Sequence, residues 1–311
     1  MAGSRRWPPP PAGSRPCVRV VAPSGTLLGF DEPLSRGLAR LEAAGAEVRF
    51  DEALRRRSSR GYFAEDDVSR AEAFCAALVE PGVDVVWFAR GGSGGARMAE
   101  AVLRQAVSLA PRAVVGFSDA TTLLNGLVSQ CGWVCFHGPV ITSLGGPDEL
   151  LVSMDQILAQ LNGRHGMRSL EATARGPRGV LRGGNCTVLA SLAGTGLFPA
   201  DATGPAAMPS IWLMEDVAEA PYRLDRSLTQ LRMSGLFQHA AAIWVGDLGL
   251  DAGAQQGVMD ALRMDLRGVP VISGAPAGHR GRLELLPLGA TVELDPETGG
   301  LQATSPWVAT A

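Results

Sequence analysis

The sequence predicts an α/β protein of two units, the first built on a parallel sheet. Three observations carry this. Short apolar runs alternate with amphipathic segments through the first half, the rhythm of βαβ units. The pattern weakens between about Leu144 and Arg178 and then resumes. The length, 311 residues, suits two domains of ordinary size, each able to bury its own core. The expected division is a disordered leader over 1–16, an N-terminal α/β domain over 17–145, a linker over 146–177 and a C-terminal domain over 178–311.

In chain order, Val18 to Ala22 reads as a buried strand. Asp31 then offers an N-cap, Pro33 sits in the first turn, Leu34, Leu38 and Leu41 follow at helical spacing, and Gly45 ends the segment. Ala46 to Phe50 is a second strand. Asp67 to Val79 is a helix with Ala71, Phe74, Cys75 and Leu78 on one side, stopped by Pro81-Gly82. Val83 to Ala89 is a fully apolar strand. Met98, Val102 and Ala106 recur every fourth residue in a helix over Ala96 to Val107. Ala113 to Phe117 is a strand, Asp119 to Ser129 a helix, and Val134 to Phe136 a fifth strand. One short helix, Met154 to Leu161, interrupts the linker. Beyond it, strands are expected at Gly179–Arg182, Ile211–Met214, Ala241–Val245, Val269–Ile272, Leu283–Leu286 and Thr291–Leu294. Helices are expected at Asn185–Ala193, Leu224–Met233 and Gln255–Leu266. No internal repeat is visible.

Composition excludes several chemistries. The chain has no lysine, so all 28 of its Lys+Arg residues are arginine. A P-loop, a pyridoxal Schiff base, a Ser-Lys dyad and a protein-kinase site each need lysine. A net charge of −3 gives no electrostatic reason for a nucleic-acid partner. Cys17, Cys75, Cys131, Cys135 and Cys186 are odd in number and lack a C-x-x-C pair, so free thiols in a reducing cytoplasm are expected rather than a zinc site. The start of the chain, with Arg5, Arg6 and Pro8 to Pro11, has no apolar core, so neither a signal peptide nor a membrane span is read there.

In a parallel sheet, ligands bind at the carboxyl ends of the strands. Two loops stand there: Arg90-Gly91-Gly92-Ser93-Gly94-Gly95 and Gly116-Phe117-Ser118-Asp119. A serine on a tight strand-to-helix turn is held out of the sheet, with free helix N–H groups aimed at it. The Asp119 N–H is a candidate oxyanion donor, and Gly91 or Gly92 a candidate second one. Ser118 equally suits a helix N-cap, and Ala120 stands where the hydrolase elbow has its last glycine. The glycine loop is an incomplete dinucleotide fingerprint, because Arg97 occupies the last glycine position; a plain tight turn is the other reading.

A nucleophilic serine needs a base, and without lysine that means histidine. His165 lies in the linker and His239 at a helix-to-strand connection. His137, in His137-Gly138-Pro139, either lines a site or shapes a turn. His279 follows an apolar strand in a glycine-rich loop, which suits either a functional side chain or a surface histidine. Glu215-Asp216 end the strand Ile211–Met214 and offer an acid to orient an imidazole, or a cap for the next segment.

Taken in order, these pieces resemble the LD-carboxypeptidase family of serine peptidases from about Val18 to Leu288. The V-x-x-V-A-P-S-G turn matches Val18 to Gly25, and the R-G-G-Y-G loop resembles Arg90 to Gly94. The G-[YF]-S-D motif matches Gly116 to Asp119, and the H-G-P turn His137 to Pro139. A G-G-N segment matches Gly183 to Asn185, running on to Gly194-Thr195. The E-D-V-x-E-x-P-Y-R stretch matches from Glu215 on to Leu231, and the G-x-P-x-G-H loop Gly274 to His279. The resemblance implies a flavodoxin-like N-terminal domain joined to a smaller mixed α/β domain. It implies Ser118, Glu215 and His279 as catalytic triad across an interdomain cleft; Gly92 and Asp119, read from the loops themselves, are the expected oxyanion donors. Gly91, Ser93, Arg97, His137 and Arg223 are substrate-binding candidates, and Arg280 is a further arginine beside a motif. Ser93 departs from the usual tyrosine, which alters the expected pocket. The implied activity is release of terminal D-alanine from murein tetrapeptides in cell-wall recycling, by a cytoplasmic enzyme without metal or cofactor, often a homodimer. Two alternatives stand beside it. One is a same-family immunity peptidase cleaving toxic acyl-adenylate conjugates, disfavoured by the compact C-terminal half. The other is a non-catalytic nucleotide- or sugar-binding α/β module.

Overall fold

A computed structural model describes residues 6–9, 15–146, 153–161, 176–197, 209–217, 219–280, 283–304 and 307. Two six-stranded sheets organise the chain. The first contains β1 (Cys17–Val21), β2 (Glu47–Arg49), β3 (Val85–Phe88), β4 (Ala113–Gly116) and β5 (Cys135–His137), all parallel. Their order, β2-β1-β3-β4-β5, is the doubly wound, flavodoxin-like one, which opens a crevice where the order reverses between β1 and β3. The helices between them are α1 (Asp31–Ala43), α2 (Asp67–Val79), α3 (Gly95–Ala106) and α4 (Thr121–Cys131), followed by the short α5 (Ile141–Leu144).

The second sheet contains parallel β6 (Arg178–Asn185), β7 (Ser210–Glu215), β8 (Ala240–Val245) and β9 (Val271–Ser273). The antiparallel β11 (Thr291–Leu294) and β12 (Leu301–Ala303) extend it beyond β6. Helices α7 (Cys186–Leu192), α8 (Pro221–Met233) and α9 (Ala252–Asp265) belong to this half, and α6 (Met154–Leu161) lies in the connection.

Local chemistry explains the boundaries. The Asp66 carboxylate caps α2 by accepting the Ser69 N–H at 2.9 Å. Gly132, left-handed at φ 69°, ends α4. The expected cap at Asp31 is not used: Phe30 holds the cap position, and Asp31 and Glu32 sit inside the first turn of α1, where the helix dipole favours them.

Alternation along β7 divides the core. Ile211 and Leu213 face the first sheet and join one cluster with Val20, Phe88, Val115 and Leu124. Trp212 and Met214 face the other way, against Leu189, Leu224, Leu228 and Met259 of α7, α8 and α9. One apolar core therefore runs through both sheets.

Two further features join the halves. Asn125 on α4 donates to the Gly183 carbonyl at 2.8 Å and accepts the Gly183 N–H at 2.9 Å, both buried. The strand β10 (Leu286–Leu288) leaves the second half and pairs antiparallel with β5 of the first sheet. The expected boundary at 146–177 is thus crossed by a strand from the far side of it. That strand is displaced from the expected Leu283–Leu286 and contains Pro287, which an edge position tolerates because no ladder N–H is lost. Trp7, inside the expected leader, is 2% exposed and packs in the core. His165 and most of the expected linker lie outside the described residues. All five cysteines are free and buried. Among the described residues, no helix is long and apolar enough to cross a membrane.

Candidate active site

The strand β4 turns into α4 within four residues. Gly116 makes the turn possible, since a Cβ there would stand 2.7 Å from the Ala120 Cβ and 3.0 Å from the Phe88 ring. Ala120 therefore fills space that the elbow motif usually leaves to its final glycine. Ser118 follows at φ +60°, one of two non-glycine residues with positive φ among those described. That left-handed geometry costs an L-residue about 1–2 kcal/mol and lifts the side chain out of the strand line. Ser118 is not a helix cap: Ala120 holds the cap position of α4, and no side chain caps it.

The glycine loop wraps this turn. A Cβ on Gly91 would stand 2.9 Å from the Ser118 Cβ and 3.0 Å from its Oγ, so only glycine lets the loop approach so closely. The Gly91 carbonyl accepts the Gly25 N–H at 3.1 Å, which ties the loops after β1 and β3 together at the switch point. The Gly92 N–H has no hydrogen-bond partner among the described residues. Asp119, 6% exposed, accepts the Gly95 N–H at 2.8 Å and so binds the glycine loop to the serine turn. Burial pushes the Asp119 carboxyl pKa up, against the lowering effect of that N–H.

Glu215 ends β7 beside Asn185, the last residue of β6. Its side chain is fully buried, and its Oε2 lies 3.1 Å from His279 Nδ1. On the other side, His137 Nε2 stands 3.7 Å from Glu215 Oε1, an ion-pair distance rather than a hydrogen bond. Burial alone would raise the Glu215 pKa; the two flanking imidazoles outweigh it and hold the group at about 2. Asp216 takes a separate job. It accepts from the Thr187 N–H and hydroxyl, each at 2.9 Å, and from the Val217 N–H at 2.7 Å.

His279 is delivered by the loop after β9. Gly278, at φ +133°, lies where a Cβ would come within 2.5 Å of the Asp247 Cβ. The Asp247 N–H donates to Ala277, and its carboxylate accepts the Arg280 N–H, each at 2.9 Å. The imidazole packs on Phe117, with ring centroids 4.7 Å apart. Among the described residues no hydrogen bond links Ser118 to His279; Phe117, next to the serine, touches the imidazole, and His137 beside Glu215 is a second contact between the two halves of the site.

The structure separates the remaining candidates. Gly91 presses on Ser118 and Asp119 follows it in the turn; Gly92, the next residue of the loop, lies against Gly25, and Ser93 is exposed beyond it. His137 is fully buried beneath Glu215 and Phe117, so as placed it cannot touch a ligand; it braces the carboxylate instead. The Arg97 guanidinium is taken up by both Asp67 oxygens, with Nε–O distances of 2.8 and 3.0 Å. Arg223 pairs with Glu219 at 2.8 Å, and Arg280 with Asp247 at 3.2 Å. Neither Asn185, which caps α7 beside Glu215, nor Arg90 was singled out for a role by the sequence. Arg90 stood in a glycine motif that drew attention to its backbone.

Known proteins resemble this chain over most of its length. Residues 18–138 match the LD-carboxypeptidase N-terminal domain and residues 178–294 the LD-carboxypeptidase C-terminal domain. A putative carboxypeptidase of Streptomyces coelicolor is 34% identical over 93% of each chain. The murein tetrapeptide carboxypeptidase of Pseudomonas aeruginosa is 30% identical over 89% of this chain and 92% of its own. The solved muramoyltetrapeptide carboxypeptidase of Oxalobacter formigenes superposes with a TM-score of 0.74 at 28% identity, covering 92% of this chain and 97% of its own. The microcin self-immunity protein MccF shares the fold, with a TM-score of 0.82 at 18% identity over 98% of this chain and 99% of its own. With both of its halves matched and its fold shared, the chain belongs to the LD-carboxypeptidase family of serine peptidases.

Proposed function

We propose that this protein is a serine-type murein tetrapeptide carboxypeptidase, hydrolysing the L,D-amide bond that releases terminal D-alanine. The observation that carries the reading is the pairing of buried Glu215 with part-buried His279 beside the Ser118 turn. A carboxylate held at about 2 is ionised at neutral pH, so it accepts a hydrogen bond and its Nδ1 partner carries the proton. His279 Nε2 is then the free basic nitrogen. It takes the Ser118 proton as Oγ attacks the carbonyl before D-alanine, and Glu215 stabilises the imidazolium that forms. The Gly92 and Asp119 N–H groups receive the oxyanion. The imidazolium protonates the leaving amine, and water, activated by the same nitrogen, releases the acyl group. The missing Ser118–His279 hydrogen bond forms on substrate binding, as is common for unliganded hydrolase sites.

Ser118→Ala should lower D-alanine release from a tetrapeptide muropeptide by several orders of magnitude, read by mass spectrometry. Near-parental turnover in that variant would end the proposal. The same reading places the enzyme in the cytoplasm as a homodimer, on the strength of the family resemblance. A single-chain mass by light scattering would remove the dimer.

A further inference from the structure

An exopeptidase must recognise the free carboxylate at the end of its substrate, and here a lysine cannot do it. The described arginines on the crevice loops and their neighbours are mostly committed. Arg97 and the fully buried Arg70 share Asp67, Arg223 holds Glu219, and Arg280 holds Asp247. Arg90 differs. It is half-buried and has no carboxylate partner among the described residues. Its guanidinium donates to the Thr26 carbonyl at 2.6 Å and lies over the Phe30 ring at 3.9 Å. Those contacts use one donor and one face of a group with five N–H donors. A half-buried cation without an anion is incompletely compensated, and an incoming carboxylate corrects this. Burial already lowers the Arg90 pKa for that reason.

Its position fits the substrate end. A Cβ on Gly25 would stand 3.1 Å from an Arg90 terminal nitrogen, and one on Gly92 would stand 4.0 Å from the other. The guanidinium thus sits beside Gly92, one residue beyond the glycine pressed against Ser118. The terminal carboxyl carbon of a peptide lies within about 4 Å of the carbonyl carbon being attacked. With that carbonyl oxygen at the Gly92 N–H, the carboxylate falls on the Gly92 side of the serine.

We infer that Arg90, held against Phe30 and Thr26 at the β1/β3 switch point, is the residue that binds the terminal carboxylate of the substrate. The inference rests on the carboxypeptidase reading and names its specificity determinant. Its test is the preference for a tetrapeptide acid over the same tetrapeptide with a C-terminal carboxamide. The wild-type protein should favour the acid in kcat/KM, and Arg90→Gln should reduce that preference roughly 10- to 100-fold, mainly through KM. Arg90→Lys keeps the charge without the planar fork and should retain part of the preference. An Arg90→Gln protein that still discriminates as the wild type does overturns the inference, and so does a wild type that does not discriminate. Binding of the acid and the amide to Ser118→Ala protein separates the two levels. Absence of hydrolysis by the wild type defeats the peptidase reading, whereas equal binding of acid and amide defeats the role of Arg90.

Discussion

The backbone at Ser118 makes a prediction about stability that is independent of any substrate. At φ +60° a side chain with a Cβ is strained by about 1–2 kcal/mol, and glycine is not. Glycine also gives the unfolded chain more freedom, which offsets about 0.5–1 kcal/mol. Ser118→Ala retains the strain and Ser118→Gly relieves it. The glycine variant should therefore be more stable than the alanine variant by about 0.5–1 kcal/mol, although both lack the hydroxyl. Urea unfolding of the two, followed by circular dichroism, reads this as a higher midpoint at unchanged slope. At most ordinary half-buried positions the order is reversed, because alanine restricts the unfolded chain. A midpoint for Ser118→Gly at or below that of Ser118→Ala would show that the turn is not strained, and the account of how Ser118 is presented would fail.

Two further outcomes follow from the buried carboxylate. Glu215→Gln keeps the shape but removes the charge that fixes the His279 tautomer, so kcat for D-alanine release should drop by about 10³–10⁴-fold; a loss below tenfold would contradict the assigned orientation. The same group should shape the acid limb of stability. Its folded pKa of about 2 lies below the ordinary 4.5, so the unfolded chain binds the proton more readily. The stabilisation, on the order of 3 kcal/mol, is complete above about pH 4.5 and is lost as pH falls towards 2. Glu215→Gln should flatten the stability curve in that window, and an unchanged curve would place the charge elsewhere. His137→Asn should lower kcat about tenfold and leave KM unaltered, since the imidazole braces Glu215 and is fully buried; a raised KM at constant kcat would return His137 to the substrate pocket.

The legibility of the fold followed the strength of each local signal. The helix Asp67–Val79 and the strand Thr291–Leu294 were readable to the residue, the first from an apolar stripe stopped by Pro-Gly, the second from β-branched alternation. The strand β10 was misplaced because Pro287 reads as a breaker, and only its edge position permits it. The strand Leu301–Ala303 and the helix Ile141–Leu144 are too short to show any period. At the site, the strand-end rule marked Ser118, Glu215 and His279 one at a time. That His137 supports Glu215 from below depends on β5 and β7 meeting across the two sheets, which no local pattern encodes. The pairing of Arg97 with Asp67, 30 residues away, is likewise fixed by packing, whereas that of Arg223 with Glu219 is an i,i+4 pair already visible in the sequence.

The return of β10 to the first sheet bears on how the molecule comes into being. A fragment ending near residue 145 would leave β5 with an uncovered hydrogen-bonding edge, the kind of surface on which chains stick to one another. The earlier half is completed only when Leu286–Leu288 arrives, after nearly all of the later half has been synthesised. Cutting the gene at its apparent seam should therefore yield insoluble pieces, and co-expression of the two should rescue them only if the second carries that strand.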